Sequence, residues 1–106
     1  MLRATVIVKT DICRFTERVS TLSEQDLGRL LSQHKHLVSE TVNRCEGSIV
    51  KGEGDSFWVI FPSVTRAAQA SLELHRELRL AQAGLLDQNR VAIRVAIALG
   101  DAPPRQ

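Results

Sequence analysis

The chain has 106 residues, of which 14 are Lys or Arg and 12 are Asp or Glu, giving a formal net charge of +2 at pH 7. That length suits one domain with one modest core, and the interspersed charges describe a solvated surface, so composition implies no nucleic-acid partner. No stretch approaches the ~18 apolar residues of a membrane-spanning helix, so no membrane contact is expected of this chain. The cysteines Cys13 and Cys45, without CxxC spacing or a leader peptide, point to plain thiols in a reducing cytosol.

Residues Ala4 to Thr10 read as a strand rich in β-branched residues, apolar on both faces until Lys9 and therefore central in a sheet. It would deliver Asp11 at its C-terminal end. Phe15 to Val19 can make a short helical turn. A main helix begins near Ser23, whose hydroxyl and Asp26 three residues on resemble a capping box. Its apolar face runs through Leu27, Leu30, Leu31, His34, Leu37, Val38, Thr41, Val42 and Cys45 at three- and four-residue steps, and Gly47 is expected to cap its end.

Ser48 to Glu53 and Ser56 to Phe61 read as a β-hairpin around Gly54-Asp55, with Phe57, Val59 and Phe61 on one face and Trp58 and Ile60 on the other. A second helix from about Ser63 carries Val64, Ala67, Ala68, Ser71, Leu74, His75, Leu78 and Ala81 on its expected buried face and ends at Gly84. Ala83 to Asn89 is a polar loop, Arg90 to Leu99 an alternating last strand, and Ala102 to Gln106 an expected frayed tail. The order β-α-β-β-α-β predicts an α+β, ferredoxin-like fold, with two helices on one face of a four-stranded antiparallel sheet.

Asp11 and Asp55 sit in matching settings, one ending an apolar strand and the other at a hairpin turn. If the first strand pairs with the hairpin, two carboxylates far apart in sequence come side by side. Such oxygen-only ligands suit Mg²⁺ or Mn²⁺. The surroundings of both aspartates resemble the class III nucleotidyl cyclases, the adenylate and guanylate cyclase catalytic domains. Their first motif reads roughly F-x-D-I-x-G-F-T, which Thr10, Asp11, Ile12, Cys13, Arg14, Phe15 and Thr16 follow except for Arg14 in place of glycine. Their second, K-x-x-G-D before an apolar strand, is matched by Lys51, Gly54 and Asp55, and the resemblance runs from about Ala4 to Asp101.

The resemblance implies conversion of ATP to cyclic AMP and pyrophosphate with two metal ions, held by Asp11, Asp55 and the backbone carbonyl of Ile12. It implies phosphate binding by the backbone from Cys13 through Arg14 and Phe15 to Thr16. Lys51 matches the position that reads adenine from the opposite subunit of a head-to-tail dimer, which favours ATP over GTP. The family's second purine reader, ribose-orienting asparagine and transition-state arginine have no counterpart here, so the chain resembles about the N-terminal half of the domain. No complete catalytic set is expected, and the isolated chain is expected to be inactive without the missing half of the domain or a partner. A non-catalytic nucleotide-binding or dimerisation module is the alternative.

Several residues have plainer readings. His34 and His75 fall on apolar helix faces, where histidines are more often core or boundary residues than ligands, and His36 faces elsewhere. Cys45 reads as helix-end packing. RNA-recognition domains share the element order, but Thr5 to Thr10 has no aromatic residue and the basic-Gly-aromatic pattern is absent, which argues against RNA.

Overall fold

The computed structural model describes residues 3–102. Among them the elements run β1 (Arg3–Ile12), α1 (Phe15–Val19), α2 (Glu24–Arg44), β2 (Ser48–Glu53), β3 (Ser56–Phe61), α3 (Val64–Ala81), a 3₁₀ turn (Asp87–Asn89) and β4 (Ile93–Ala102). The four strands form one sheet in the order β2-β3-β1-β4, and every neighbouring pair is antiparallel. This is the expected α+β, ferredoxin-like split βαβ arrangement, with β1 central.

Alternation along the strands sorts the sheet into two faces. Val6, Val8 and Ile12 of β1 and Phe57, Val59 and Phe61 of β3 are buried, and all but Ile12 join Val38 and Val42 of α2, Cys45 just past its end, and Ala67, Ala70 and Leu74 of α3 in one core. Burying each large apolar side chain contributes about 1.5–3 kcal/mol, which holds both helices on this face. Ile7, Lys9, Asp11, Trp58 and Ile60 alternate with them on the opposite, open face, where Ile7 remains 39% exposed. β1 is thus central but covered on one side only, unlike a strand of a doubly covered sheet.

The caps are local chemistry. Ser23 Oγ accepts from the Asp26 amide at 3.1 Å, and Ser63 Oγ does the same for Arg66 at 3.1 Å, each satisfying an amide that the first turn leaves unpaired. At the end of α2 the left-handed residue is Glu46, at φ 63°, and not the glycine expected to cap the helix. The Gly47 amide donates to Val42 O at 2.9 Å and Glu46 to Asn43 O at 3.3 Å, the two bonds of a Schellman turn. Position 47 is glycine for a different reason. A Cβ there would stand 2.5 Å from the Phe61 ring, so the close approach of chain and ring excludes any side chain.

Other boundaries shift from expectation. β1 continues two residues past Thr10, so Asp11 lies within the ladder, opposite Arg94. β4 starts at Ile93 and runs to Ala102, three residues later than the sequence indicated at both ends, which brings the start of the expected tail into the sheet; positions 103–106 lie outside the described residues. α3 stops at Ala81, before Gly84, and its buried stripe is Ala67, Ala70 and Leu74. Val64, Ala68, His75 and Ala81, expected inside, are exposed. Among the described residues no helix is long and apolar enough to cross a membrane.

Candidate functional site

The hairpin turn and the end of β1 are joined by the antiparallel register. Thr10 faces Phe57, and continuing that pairing by two residues sets Ile12 opposite Asp55. The turn has Glu53 facing Ser56 across Gly54 and Asp55. Gly54, at φ 59°, takes the first central position, as a type II′ hairpin requires. Asp55 Oδ2 then accepts the Ile12 backbone N–H at 2.8 Å. A residue 43 positions away therefore ties the turn to β1, one residue from Asp11.

Asp11 is met from the other side. Arg94 stands opposite it on β4, and its Nε donates to Asp11 Oδ1 at 3.1 Å. The Asp11 side chain is 21% exposed while that of Arg94 is 67% exposed. Bonding to Asp11, together with the charges of Asp11, Cys13 and Asp55, pushes the guanidinium pKa further above its ordinary value. Arg94 is a site residue that sequence reasoning missed. The last strand was legible as a strand, but its register against β1 was not.

His34 underpins the same corner from α2. It is 5% exposed, packs at 5.7 Å from the Phe57 ring, and its Nε2 lies 3.0 Å from the Asp55 carbonyl oxygen. Because a carbonyl can only accept, Nε2 carries the proton and the imidazole is held in one tautomer. Burial lowers its pKa, opposed by the bond to Asp55 and by the charges of Asp55 and Asp11. His34 is thus a satisfied core histidine that also buttresses the aspartate turn. His75 is different, exposed with Nδ1 2.8 Å from Ser71 O, and His36 sits outside at 3.2 Å from Glu40.

The segment from Cys13 to Thr16 rounds from β1 into α1. Its Cys13 amide donates to Ala92 O at 2.8 Å, extending the sheet ladder by one bond. Arg14 caps α1 in the left-handed region, at φ 55° and ψ 37°. This explains in physical terms why the motif carries glycine here, since any side chain at such dihedrals is strained. The Arg14 guanidinium folds onto Glu17, with contacts of 2.9 and 2.8 Å. A hollow of about 430 Å³ opens between this loop and the segment before β4, lined by Cys13, Arg14, Arg18, Thr21, Arg90 and Ala92 among others. Arg18 donates to the Gln88 and Arg90 carbonyls across it.

Lys51 projects from β2 on the open face. Its Nζ lies 3.4 Å from Glu53 Oε2 and 5.1 Å from the centre of the Trp58 ring. Cys45, read as packing, is 2% exposed, and burial together with its bond to Glu73 pushes the thiol pKa up to about 11. Such a thiol is inert at neutral pH.

Among the described residues no group of three or more His, Cys, Asp or Glu side chains clusters as a metal cage. The carboxylates at this corner that could contribute to a metal shell are those of Asp11 and Asp55. The hydrogen bonds to the protein use Asp11 Oδ1 and Asp55 Oδ2, which leaves the other oxygen of each carboxylate, and two such hard oxygen donors fit Mg²⁺ or Mn²⁺.

No known family model matches the sequence. The serine/threonine-protein kinase pkn2 of Myxococcus xanthus is 27% identical over 95 residues, covering 90% of this chain but 11% of that protein. Among solved structures, a bacterial light-regulated adenylyl cyclase superposes with a TM-score of 0.87 at 18% identity, over 95% of this chain and 55% of its own. The guanylyl cyclase Cya2 gives 0.84 at 18% identity, over 95% and 56%. The chain spans about half the length of these structures and about a tenth of the kinase. Its fold is that of roughly the first half of a class III adenylyl or guanylyl cyclase catalytic domain.

Proposed function

We propose that this chain binds ATP through a divalent-metal half-site of the class III cyclase type, and that it takes part in forming cyclic AMP and pyrophosphate only when further residues complete that site. The single observation that carries this reading is the corner formed by Asp11 and Asp55, where the Ile12 N–H to Asp55 bond holds the hairpin turn beside β1.

Bound Mg²⁺ or Mn²⁺ would supply charge neutralisation of the triphosphate and activation of its 3′-hydroxyl. Asp11 and Asp55 would hold the metal, with the Ile12 carbonyl as a further donor. His34 fixes the backbone of Asp55 from beneath, so its carboxylate needs little reorganisation on binding. The first-turn amides of α1 at Phe15 and Thr16, which a helix leaves without internal acceptors, would meet phosphate oxygens together with the Arg14 backbone. The Cys13 amide contributes only if it gives up Ala92. A Lys51 ammonium donates to an adenine ring nitrogen where guanine carries a proton, so it would discriminate by leaving the wrong base unpaired.

The second reading is a non-catalytic nucleotide-binding or dimerisation module. One feature favours it: Arg94 already neutralises Asp11, so a metal must share or displace that guanidinium. The test is calorimetric titration of Mg²⁺ with a non-cyclisable ATP analogue into the wild type and Asp11→Asn, beside a cyclic AMP assay. Saturable binding abolished by the substitution supports the half-site, and no binding in a folded sample refutes it. Cyclic AMP formed by the chain alone refutes the requirement for further residues.

A further inference from the structure

β4 is an outer strand of the sheet, beside β1, and among the described residues no strand borders its other side. The Cys13 amide donates to Ala92 O, which makes position 92 a hydrogen-bonded partner of β1. The alternation of an antiparallel ladder then turns the N–H and C=O groups of Arg94, Ala96, Ala98 and Gly100 toward β1 as well. Those of Ile93, Val95, Ile97 and Leu99 point outward, away from the sheet. The side chains of these outward residues lie on the helix side, where Ile93 is in the core and Val95 packs against it, but Ile97 and Leu99 are 44% and 65% exposed. The opposite edge, β2, is defended against further pairing. It carries Lys51 and Glu53, and an irregularity between Ile49 and Lys51 interrupts its ladder, two devices that discourage edge-to-edge association. β4 has neither from Val95 to Gly100, a run of apolar residues and glycine in unbroken register with β1.

We infer that β4 pairs edge to edge with β4 of a second copy of this chain, antiparallel, with Ile97 on the two-fold axis. In that register Ile97 meets Ile97, Val95 of one copy meets Leu99 of the other, and Ile93 meets position 101. Every outward N–H and C=O along the shared stretch then finds a partner, about ten hydrogen bonds in all. Moving the axis to Ala96 or Ala98 forms one bonded pair fewer. A two-fold axis perpendicular to the sheet keeps like faces together, so the exposed Ile97 and Leu99 side chains close against those of the other copy in a strip continuous with both cores. On the open face the register sets Arg94 opposite Gly100 and Ala96 opposite Ala98, small partners that leave the Arg94 bond to Asp11 undisturbed. The occupant is a second copy because this edge complements itself, and because the pairing consumes both β4 edges and leaves only the defended β2 edges, so assembly closes at two. The pairing goes beyond the metal reading and does not depend on it. It is also a separate contact from a head-to-tail dimer, since it joins edges and leaves the face with Asp11 open in both copies.

The test is sedimentation velocity of the chain, without metal or nucleotide, over a series from low to high micromolar concentration. The wild type should pass from monomer to dimer and no further. Ile97→Lys sets two ammonium groups against each other at the axis, and Ile97→Pro removes an outward N–H without touching a bond to β1. Each should weaken association about tenfold or more, while circular dichroism reports a folded chain. A cysteine pair checks the register without disturbing the edge. Residues facing each other in a hydrogen-bonded pair have Cα atoms about 5.5 Å apart, within reach of a disulfide. In a chain carrying Cys13→Ser, Ile97→Cys treated with diamide should therefore cross-link as a dimer, whereas Leu72→Cys, at a position 74% exposed on α3, should not. A folded wild type that stays monomeric throughout the series overturns the pairing. A dimer that survives both Ile97 substitutions in folded chains, or cross-linking at Leu72→Cys as strong as at Ile97→Cys, overturns its assignment to β4. Association that continues past two copies overturns the closed arrangement.

Discussion

Asp55 has two roles that a pair of substitutions separates. Its carboxylate accepts the Ile12 N–H at 2.8 Å, and it is proposed to hold metal. Asp55→Ala removes both. Leaving a partly buried amide without its acceptor costs about 1–3 kcal/mol, and for a domain of this size each kcal/mol lowers Tm by roughly 4–8 °C. A drop of about 4–24 °C is therefore expected. Asp55→Asn keeps an amide oxygen for Ile12 and loses only the charge, so its Tm should stay within about 4 °C of the wild type. Metal-dependent ATP binding should vanish in both. Thermal unfolding by circular dichroism gives the first quantity and calorimetric titration the second. If Asp55→Ala is as stable as the wild type, the Ile12 bond does not carry the corner. If Asp55→Asn binds metal and nucleotide normally, the carboxylate is structural only.

Gly47→Ala forces a Cβ to within 2.5 Å of the Phe61 ring, and Phe61 is 6% exposed with no room to retreat, so urea unfolding should show a loss of about 1–3 kcal/mol. Arg14→Gly relieves a side chain held at φ 55°. The gain in stability should reach about 1 kcal/mol, since the lost pair with Glu17 is exposed and the extra freedom of glycine in the unfolded chain offsets part of the relief. His34 has its pKa lowered by burial from the ordinary 6.5, so the unfolded chain takes up the proton first. Stability is fully present above about pH 6.5 and falls as the pH drops below that value toward the folded pKa. Urea midpoints measured from pH 7.5 down to about 5 should decline, and the decline should flatten in His34→Gln.

Local signals with one solution were legible in the sequence. The hairpin strands match their expected bounds residue for residue, because Gly54-Asp55 allows one tight turn, while an irregularity between Ile49 and Lys51 that shifts the register was not legible. Ser23 and Ser63 cap as their side chains dictate. Burial that depends on what lies opposite was not legible. α3 touches the core along the narrow stripe Ala67, Ala70 and Leu74, and a helix rich in alanine offers several equally apolar faces. β4 alternates cleanly, yet Ile97 and Leu99 are 44% and 65% exposed, because cover by the helices ends near Ile93.

The site divides in the same way. Asp11 and Asp55 were found by their contexts, and the register brings them to one corner. Arg94, the His34 bond to the Asp55 carbonyl and the Lys51-Trp58 contact depend on cross-strand or helix-to-sheet pairing, which no local pattern encodes. The glycine-to-arginine departure at position 14 was visible in sequence, but its cost became definite only with the left-handed dihedrals.

The central claim is that Asp11 and Asp55 form one metal-dependent nucleotide site. The most direct measurement is electron paramagnetic resonance of Mn²⁺, titrated with this chain in the presence and absence of the non-cyclisable ATP analogue. The account predicts that protein and nucleotide together deplete the free Mn²⁺ signal beyond what nucleotide alone achieves, and that Asp11→Asn or Asp55→Asn abolishes the difference. A free Mn²⁺ signal that the folded wild type leaves unchanged, or a depletion that survives both substitutions, would contradict it.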